Sequence, residues 1–404
     1  MANARLKIGL LTDNYPFSGD APPSTPGGIG TYTQLVAEEL ARLGHEAHVF
    51  AFASVPRHRC IEHNGVRLWQ LPAWSRRRQM TVAQAAEFTL RHRNDALMLS
   101  RYSALSGLRL AVSANGAFDL IESPDAGAMG ELVRGKRFTA RYAVRLHCVP
   151  PADWPKDGTP LERDTGADVK AADVVTAPTE FARRSAIGFW GCDPARIVVV
   201  HNPLRPVAVA TGSWPEGPSA VLFGRLGWQK GVDFFAGAIG RVAARIPDFR
   251  ATFIGPDMTW IQGEPRWATG QMATAVIRQA AERSGGTGRY RVRAPMGHDA
   301  LIEAVRAHSL CVFPSRTETF GMALTEAMAW GVPCVASDIP PFRELADGNC
   351  VFAPVGSEAA LADAVTAMLS NPEEARRMAA RAIERARAYS VERVVPQLLK
   401  AWFA

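Results

Sequence analysis

The sequence lacks any apolar run of the roughly 18–20 residues that a membrane-spanning helix requires, although the chain has 404 residues. The apolar stretch at residues 8–11 is also too short to be the core of a signal peptide. The composition, 47% hydrophobic and 21% charged, is typical of a soluble globular protein. These features predict a cytoplasmic protein.

Two kinds of metal signature are missing as well. The six cysteines form no CxxC pair and no other metal-ligand spacing, so reduced thiols are the simplest interpretation. No D-x-D pair occurs anywhere in the chain, which removes the usual sequence form of a metal–carboxylate clamp. We therefore expect no metal, and positively charged side chains would have to neutralise an anionic substrate.

Predicted strands and helices alternate in two runs along the chain. The first run extends from a strand at 6–13 to one at 196–203, and the second begins with a strand at 219–226. Residues 204–219 between them are rich in proline and glycine and are predicted to be a linker. This alternation indicates an α/β protein with two doubly wound domains, each built on a parallel sheet, and a cleft between them. Residues 372–404 are predicted to be helical, with a kink at Pro396.

The segment 314–333, PSRTETFGMALTEAMAWGVP, places one glutamate before a predicted helix (321–330) and another inside it. The first-turn amides of such a helix have no intrahelical partner, and the helix dipole adds partial positive charge there. Gly321 would let an anion approach the backbone closely. This pattern predicts a diphosphate or sugar site, with Glu318 and Glu326 accepting hydroxyl groups. The alternative is two solvated carboxylates.

This segment resembles the E-x7-E region of retaining glycosyltransferases with the GT-B fold, specifically glycosyltransferase family 4. The resemblance implies two Rossmann-like domains, an acceptor-binding one at 1–203 and a donor-binding one at 204–385. The last helix, 386–404, would pack back on the first domain. Glu318 would contact the donor sugar and Glu326 the ribose, while the backbone of Phe320, Gly321, Met322 and Ala323 would contact the diphosphate.

A second motif, LFGRLGWQKGVD at 222–233, resembles the GR…KG element of the same family. The resemblance implies that Arg225 and Lys230 hold the diphosphate. Departure of a nucleoside diphosphate develops negative charge, and fixed cations would stabilise it. The alternative is a solvated loop that follows a strand.

The glycine-rich stretch TPGGIGTY, at 25–32, precedes a helix predicted at 31–43. A dinucleotide-binding fingerprint is excluded because its third glycine would fall on Thr33, and because the motif starts too far beyond its strand. The family resemblance implies that Gly27 and Gly28 lie near the phosphates or the acceptor. A purely structural turn remains the alternative.

Three candidate residues lie at or near the ends of predicted strands of the first domain. His147 lies at the end of a strand predicted at 142–149, and the resemblance places it beside the donor sugar and the acceptor hydroxyl. Glu122 and Asp125, in ESPDAG, are candidates for binding acceptor hydroxyls. Roles in capping the loop are equally compatible with the sequence.

The segment 75–117 carries seven arginines against only Glu87 and Asp95: Arg76, Arg77, Arg78, Arg91, Arg93, Arg101 and Arg109. A solvated helical face is one interpretation. The other is a basic surface that contacts anionic phospholipid or a lipid-linked acceptor, which would place the protein peripherally on the inner face of the membrane. No aromatic interleaving or recognition motif supports nucleic acid as a partner.

Together these features predict a retaining hexosyltransferase that uses a UDP- or GDP-sugar as co-substrate and needs no other cofactor. The acceptor would be a sugar, a lipid-linked molecule or a polysaccharide in bacterial cell-envelope synthesis, for example of lipopolysaccharide. Two alternatives stay open at this point. One is a sugar phosphorylase or nucleotide-sugar epimerase of the same fold, and the other is a non-catalytic nucleotide-binding protein.

Overall fold

The computed structural model describes residues 4–12, 15, 27–53, 55, 57–72, 96–126, 140–150, 160–205, 215, 217–262 and 267–404. The chain divides into two compact units, one of Met1–Pro203 with Val391–Ala404 and the other of Leu204–Ser390. None of the helices in the described ranges combines the length and the apolar character that a membrane span requires. Residues 75–95 of the arginine-rich segment, which carry five of its seven arginines, lie outside the described residues, so its contact with a membrane stays a prediction.

The first unit is built on an eight-stranded sheet in the order β3-β4-β2-β1-β5-β6-β7-β8. Its strands are β1 (Lys7–Thr12), β2 (Glu46–Ala53), β3 (Arg59–His63), β4 (Val66–Pro72), β5 (Leu120–Pro124), β6 (Arg141–Arg145), β7 (Val174–Ala177) and β8 (Ile197–Val199). Every neighbouring pair is parallel except β3 and β4. Strand β3 is absent from the prediction, although Asn64 and Gly65 form the two-residue turn, both with positive φ, that favours a hairpin.

Helices cover both faces of this sheet. They are α1 (Gly28–Arg42), α2 (Ala96–Asn115), α3 (Pro160–Ala171) and α4 (Glu180–Trp190). Because side chains alternate along a strand, Leu10 packs on the face that carries α1, and Leu11 packs on the face that carries α2, α3 and α4. Each face therefore has its own apolar core, as expected for strands buried on both sides.

The second unit contains a six-stranded, fully parallel sheet in the order β13-β10-β9-β14-β15-β16. Its strands are β9 (Ser219–Phe223), β10 (Arg250–Ile254), β13 (Tyr290–Arg293), β14 (Leu310–Phe313), β15 (Cys334–Ser337) and β16 (Val351–Ala353), and β11 (Thr259–Gln262) with β12 (Trp267–Met272) forms a separate hairpin. The helices are α5 (Val232–Arg245), α6 (Ala273–Ser284), α7 (His298–Arg306), α8 (Met322–Ala329), α9 (Pro340–Ala346), α10 (Glu358–Ser370) and α11 (Pro372–Ala386). The hairpin, α9 and β16 are absent from the prediction.

In the second sheet, the side on which successive strands are added switches at β9. From β9 the chain moves to β10 on one side, and later returns to place β14 on the other side of β9. Ligands of open parallel sheets bind at such a point, outside the carboxyl ends of the strands. The two loops at this point are residues 224–231, after β9, and residues 314–321, after β14.

The C-terminal helix, α12 (Val391–Phe403), belongs to the first unit. Its buried residues recur at helical spacing, from Val391 through Val394, Val395 and Leu398 to Trp402. The predicted start at residue 386 is wrong, because a 3₁₀ turn at Arg387–Tyr389 still packs in the second unit and Ser390 is extended. The break between the two helices falls there, and Pro396, which was predicted to kink the end, lies inside α12.

Candidate active site

The loops that follow β9 and β14 touch each other backbone to backbone. Gly231 has φ +63°, and a side chain at this position would collide with the carbonyl oxygen of Pro314. The amide of Arg316 donates to the carbonyl oxygen of Gln229 at 2.9 Å. This close approach brings the GR…KG loop and the E-x7-E loop together at the switch point of the sheet.

Lys230 and Glu318 form an ion pair across the two loops. The Nζ of Lys230 lies 2.6 Å from Oε1 of Glu318, and the hydroxyl of Ser315 donates to the same oxygen at 2.9 Å. Both side chains line a pocket together with Gly321, Ala323 and Phe342. The pocket therefore holds one cation and one hydroxyl acceptor within hydrogen-bonding distance of each other.

The N-terminus of α8 forms another wall of this pocket. Gly321 precedes the helix, and a side chain there would collide with the ring of Phe342. The amides in the first turn of a helix have no acceptor within that helix, so they can donate hydrogen bonds to an anion. Phe320 is buried, with its ring centroid 6.1 Å from that of Tyr389, so its side chain packs in the core of the second unit.

Glu326 lies one turn further along α8. Burial raises the pKa of Glu326 to about 7, and the positive charge of Lys230 opposes this rise. The carboxyl group therefore exchanges its proton near neutral pH. Hydroxyl groups that donate to it would favour its ionised form.

Arg225 is on the same loop as Lys230 but is exposed. It forms no hydrogen bond or ion pair with another of the described residues. The structure thus brings Lys230, Glu318 and the start of α8 into one pocket, and leaves Arg225 beside it on the loop.

Sequence analysis did not single out Arg316, yet this residue joins the two loops. Its guanidinium donates to both carboxylate oxygens of Asp233, at 2.8 and 2.6 Å, and to the carbonyl oxygen of Trp228 at 2.6 Å. The guanidinium carbon also lies 3.9 Å from the ring centroid of Phe234. Since Trp228 and Asp233 flank Lys230, and Arg316 lies two residues before Glu318, this contact fixes the distance between the ion-pair partners.

In the first unit, the strand predicted at 142–149 ends earlier, at Arg145. The chain turns there because Asp125 accepts hydrogen bonds from the amides of His147, at 2.9 Å, and Cys148, at 3.1 Å. Asp125 is buried, and burial raises its pKa to about 6. This geometry gives Asp125 the loop-holding role that the sequence left open.

Glu122 is only 3% exposed, and both oxygens of its carboxylate accept hydrogen bonds from other side chains. One oxygen accepts a hydrogen bond from the hydroxyl of Tyr32 at 3.0 Å, and the other from the indole Nε1 of Trp402 at 3.1 Å. Burial raises the pKa of Glu122 to about 7. The structure therefore places Glu122 in the core of the first unit, and the predicted contact with acceptor hydroxyls is replaced by an internal role.

His147 itself lies in the loop after β6. Its ring centroid is 5.0 Å from that of Tyr32, in an edge arrangement. Burial and the nearby charge of Arg145 hold the pKa of His147 well below its usual range, so the imidazole is neutral at pH 7. A neutral imidazole can accept a hydrogen bond or a proton from a hydroxyl group.

Gly27 and Gly28 mark the start of α1, three residues earlier than the helix predicted from Thr31. The carbonyl oxygen of Gly27 accepts the amide of Thr31 at 3.1 Å. No described atom lies within 4 Å of the position that a side chain of Gly27 would take. In the part of the chain that the structure describes, no cluster of three or more His, Cys, Asp or Glu residues is placed to hold a metal ion.

Two family models match consecutive parts of the chain. Residues 27–203 match a model described as a glycosyl transferase 4-like domain, and residues 217–371 match one described as glycosyl transferases group 1. Together they span well over half of the chain. The chain belongs to the group 1 glycosyltransferases of the family 4 type, which confirms the family that the motifs indicated.

The chain is similar to two bacterial enzymes described as D-inositol 3-phosphate glycosyltransferase. The one from Nocardioides sp. is 28% identical over 71% of this chain and 67% of its own length. The one from Nocardia farcinica is 27% identical over 96% of this chain and 86% of its own length.

Solved structures with the GT-B fold match nearly the whole chain. Sucrose-phosphate synthase from Thermosynechococcus elongatus has a TM-score of 0.76 at 19% identity and covers 99% of this chain and 98% of its own. HepE from Anabaena, in complex with UDP and glucose, has a TM-score of 0.72 at 16% identity and covers 99% and 100%. At these identities the likeness shows the fold, and the predicted GT-B architecture is confirmed.

The Arg316 contact leads to a first prediction. Replacing Arg316 by Lys keeps the charge but removes the two-pronged bond to Asp233, so the free energy of unfolding should fall by about 1–3 kcal/mol in urea titrations. Arg343→Lys is the matched control, because Arg343 binds Asp338 in the same two-pronged way but is 60% exposed. That control should leave the free energy of unfolding nearly unchanged, because solvent screens an exposed ion pair. Equal losses in the two variants would contradict the special role of Arg316.

Proposed function

We propose that the protein transfers a hexose from a UDP- or GDP-sugar to an acceptor hydroxyl with retention of anomeric configuration. The observation that carries the proposal is the Lys230–Glu318 ion pair beside the N-terminus of α8, at the switch point of the second sheet. A nucleotide sugar presents a diphosphate and sugar hydroxyls side by side. The pair offers a cation for the first and a carboxylate for the second.

Binding of the donor would exchange partners within this pair. The diphosphate would take Lys230 and the amides at the start of α8, and Arg225 would approach from the loop. Glu318, released from Lys230, would accept hydroxyl groups of the sugar, and Glu326 would accept those of the ribose. These cationic and amide groups stabilise the charge that develops as the nucleoside diphosphate leaves.

The acceptor side of the proposal rests on His147. Its neutral imidazole suits a position beside an acceptor hydroxyl, and Gly27 and Gly28 would lie near the phosphates or the acceptor. We propose front-face attack, in which the leaving phosphate takes the proton of the acceptor hydroxyl. Because relatives are described as D-inositol 3-phosphate glycosyltransferases, a phosphorylated polyol or sugar is the first acceptor class to test. A product in the cell envelope stays a prediction from the family resemblance.

A donor and acceptor screen tests this function directly. UDP-glucose, UDP-N-acetylglucosamine and GDP-mannose would be incubated with and without D-inositol 3-phosphate, and released nucleotide would be measured. Acceptor-dependent release of UDP or GDP with a glycosylated product is the expected result. Binding of nucleotide without any turnover across a broad set of sugar acceptors would instead favour the non-catalytic alternative.

The phosphate-binding residues give a second prediction. Lys230→Ala and Arg225→Ala should each lower kcat/KM by about 100-fold or more, since each removes a cation from the leaving group. Arg241→Ala, an exposed arginine on α5, serves as the control and should leave the rate unchanged. Near-normal turnover in both test variants would contradict the assignment of the diphosphate to this loop.

The two glutamates should separate by their effect on free nucleotide. Glu326→Gln should weaken UDP binding, because the ribose loses its acceptor. Glu318→Gln should leave UDP binding equal or tighter, because Lys230 loses its internal partner, and should lower the rate of sugar transfer. Calorimetry with UDP and steady-state kinetics measure the two effects, and identical behaviour of the variants would refute the division of roles.

The raised pKa of Glu326 also predicts how the affinity for UDP depends on pH. Glu326 is protonated below its raised pKa of about 7, whereas a bound ribose would favour the carboxylate. UDP affinity of the wild type should therefore fall as the pH drops through 7, and the proton release behind this slope should be missing in Glu326→Gln. The titration of UDP itself remains in both proteins and cancels in the comparison.

We also propose that the reaction needs no metal, since Lys230, Arg225 and helix amides supply the positive charge. Activity should then be unchanged after dialysis against EDTA. Complete loss of activity with EDTA, restored by Mg²⁺ or Mn²⁺, would overturn this part of the proposal. A dialysed sample without EDTA controls for loss of protein.

A further inference from the structure

Trp402 joins the C-terminal helix to the interior of the first unit. It lies in the last turn of α12, its side chain is fully buried, and its indole Nε1 donates to Oε2 of Glu122 at 3.1 Å. The two residues are separated by 280 positions in the sequence. A buried indole N–H requires a partner, and here the partner is a carboxyl group in the middle of β5.

Glu122 is also hydrogen-bonded to α1. Its Oε1 accepts a hydrogen bond from the hydroxyl of Tyr32 at 3.0 Å, and Tyr32 is only 1% exposed. Three elements, α12, β5 and α1, thus converge on one buried carboxyl group. Such a group is costly to leave with an unmade hydrogen bond, so both donors should be held tightly.

The ring of Tyr32 is in contact with the candidate active-site histidine. Its centroid is 5.0 Å from that of His147, with an interplanar angle of 71°, and the guanidinium carbon of Arg145 lies 4.9 Å from the same ring. The backbone of His147 is fixed by Asp125, as described above. The orientation of its ring is limited by Tyr32, since a neutral imidazole and a phenol ring pack here edge to face.

We propose that Trp402, Glu122 and Tyr32 are positioning residues that set the orientation of His147, so that the C-terminal helix contributes to the acceptor side of the reaction. This inference rests on the proposed function, because it assigns importance to the place of His147. None of the three residues needs to touch a substrate. A displacement of a reacting group by about 1 Å can cost about 100-fold in rate, so a contact of this kind has a measurable effect.

The experiment first asks whether His147 moves. Its ¹³Cε1–H signal would be assigned in histidine-labelled protein by its loss in His147→Gln. Trp402→Phe and Tyr32→Phe keep the aromatic packing but remove one hydrogen bond each, and both should shift this signal. Glu122→Gln, which preserves the shape of the side chain and replaces one of the two acceptor oxygens by a donor, should do the same if Trp402→Phe proves unstable.

Trp69→Phe provides a matched control. Trp69 is also a buried tryptophan of the first unit, and its indole Nε1 donates to Nδ1 of His48 at 3.0 Å. Its replacement removes the same kind of bond, and should shift the signal of His48 and leave that of His147 in place. An unchanged His147 signal in both Trp402→Phe and Tyr32→Phe would overturn the proposal.

Kinetics then test the consequence. Trp402→Phe should lower kcat/KM for the acceptor found in the screen by about 10- to 100-fold, while the Kd for UDP stays within about twofold. Trp69→Phe should leave both values unchanged. A shifted His147 signal with an unchanged rate would refute the functional part of the inference. Full activity of His147→Gln would instead show that the proposed role of the histidine is wrong, which separates the two failures.

Discussion

The contact between Gly231 and the carbonyl oxygen of Pro314 is the constraint on which the second unit's site depends. Only a residue without a side chain allows the loop after β9 to approach the loop after β14 this closely. The close approach places Lys230 and Glu318 within a hydrogen bond of each other, and Arg316 keeps the loops at that separation. These loops meet at the point where the strand order of the parallel sheet switches from one side of β9 to the other, and ligands of such sheets bind at this point.

Local sequence patterns predicted much of the fold and of the candidate site. The alternation of strands and helices gave two parallel-sheet units, and the segment around Glu318 and Glu326 identified both the family and the pocket residues. Strand β3 was missed although its Asn-Gly turn was visible in the sequence. Arg316 could not be recognised in this way, because its partners Trp228 and Asp233 lie more than 80 positions away and leave no periodic pattern.

Glu122 is the converse case, a residue that the sequence singled out for a substrate contact and that the structure places in internal hydrogen bonds. A carboxylate close to the carboxyl end of a predicted parallel strand lies near the place where substrates bind, so an acceptor contact was a reasonable prediction. Its burial depends on α12, which returns from the far end of the chain to cover it. No property of the ESPDAG segment carries that information. The role of a polar residue at a strand end is therefore decided by what tertiary structure packs over it.

The ion pair between Lys230 and Glu318 also affects what happens after transfer. On the proposed mechanism, the departing sugar leaves Glu318 without hydroxyl partners, while the nucleoside diphosphate still occupies Lys230. The carboxylate would then compete with the product for the ammonium group that it contacts in the structure. On this mechanism Glu318 would help to displace the spent nucleotide from Lys230, and a complete donor would be favoured because it satisfies both charges at once.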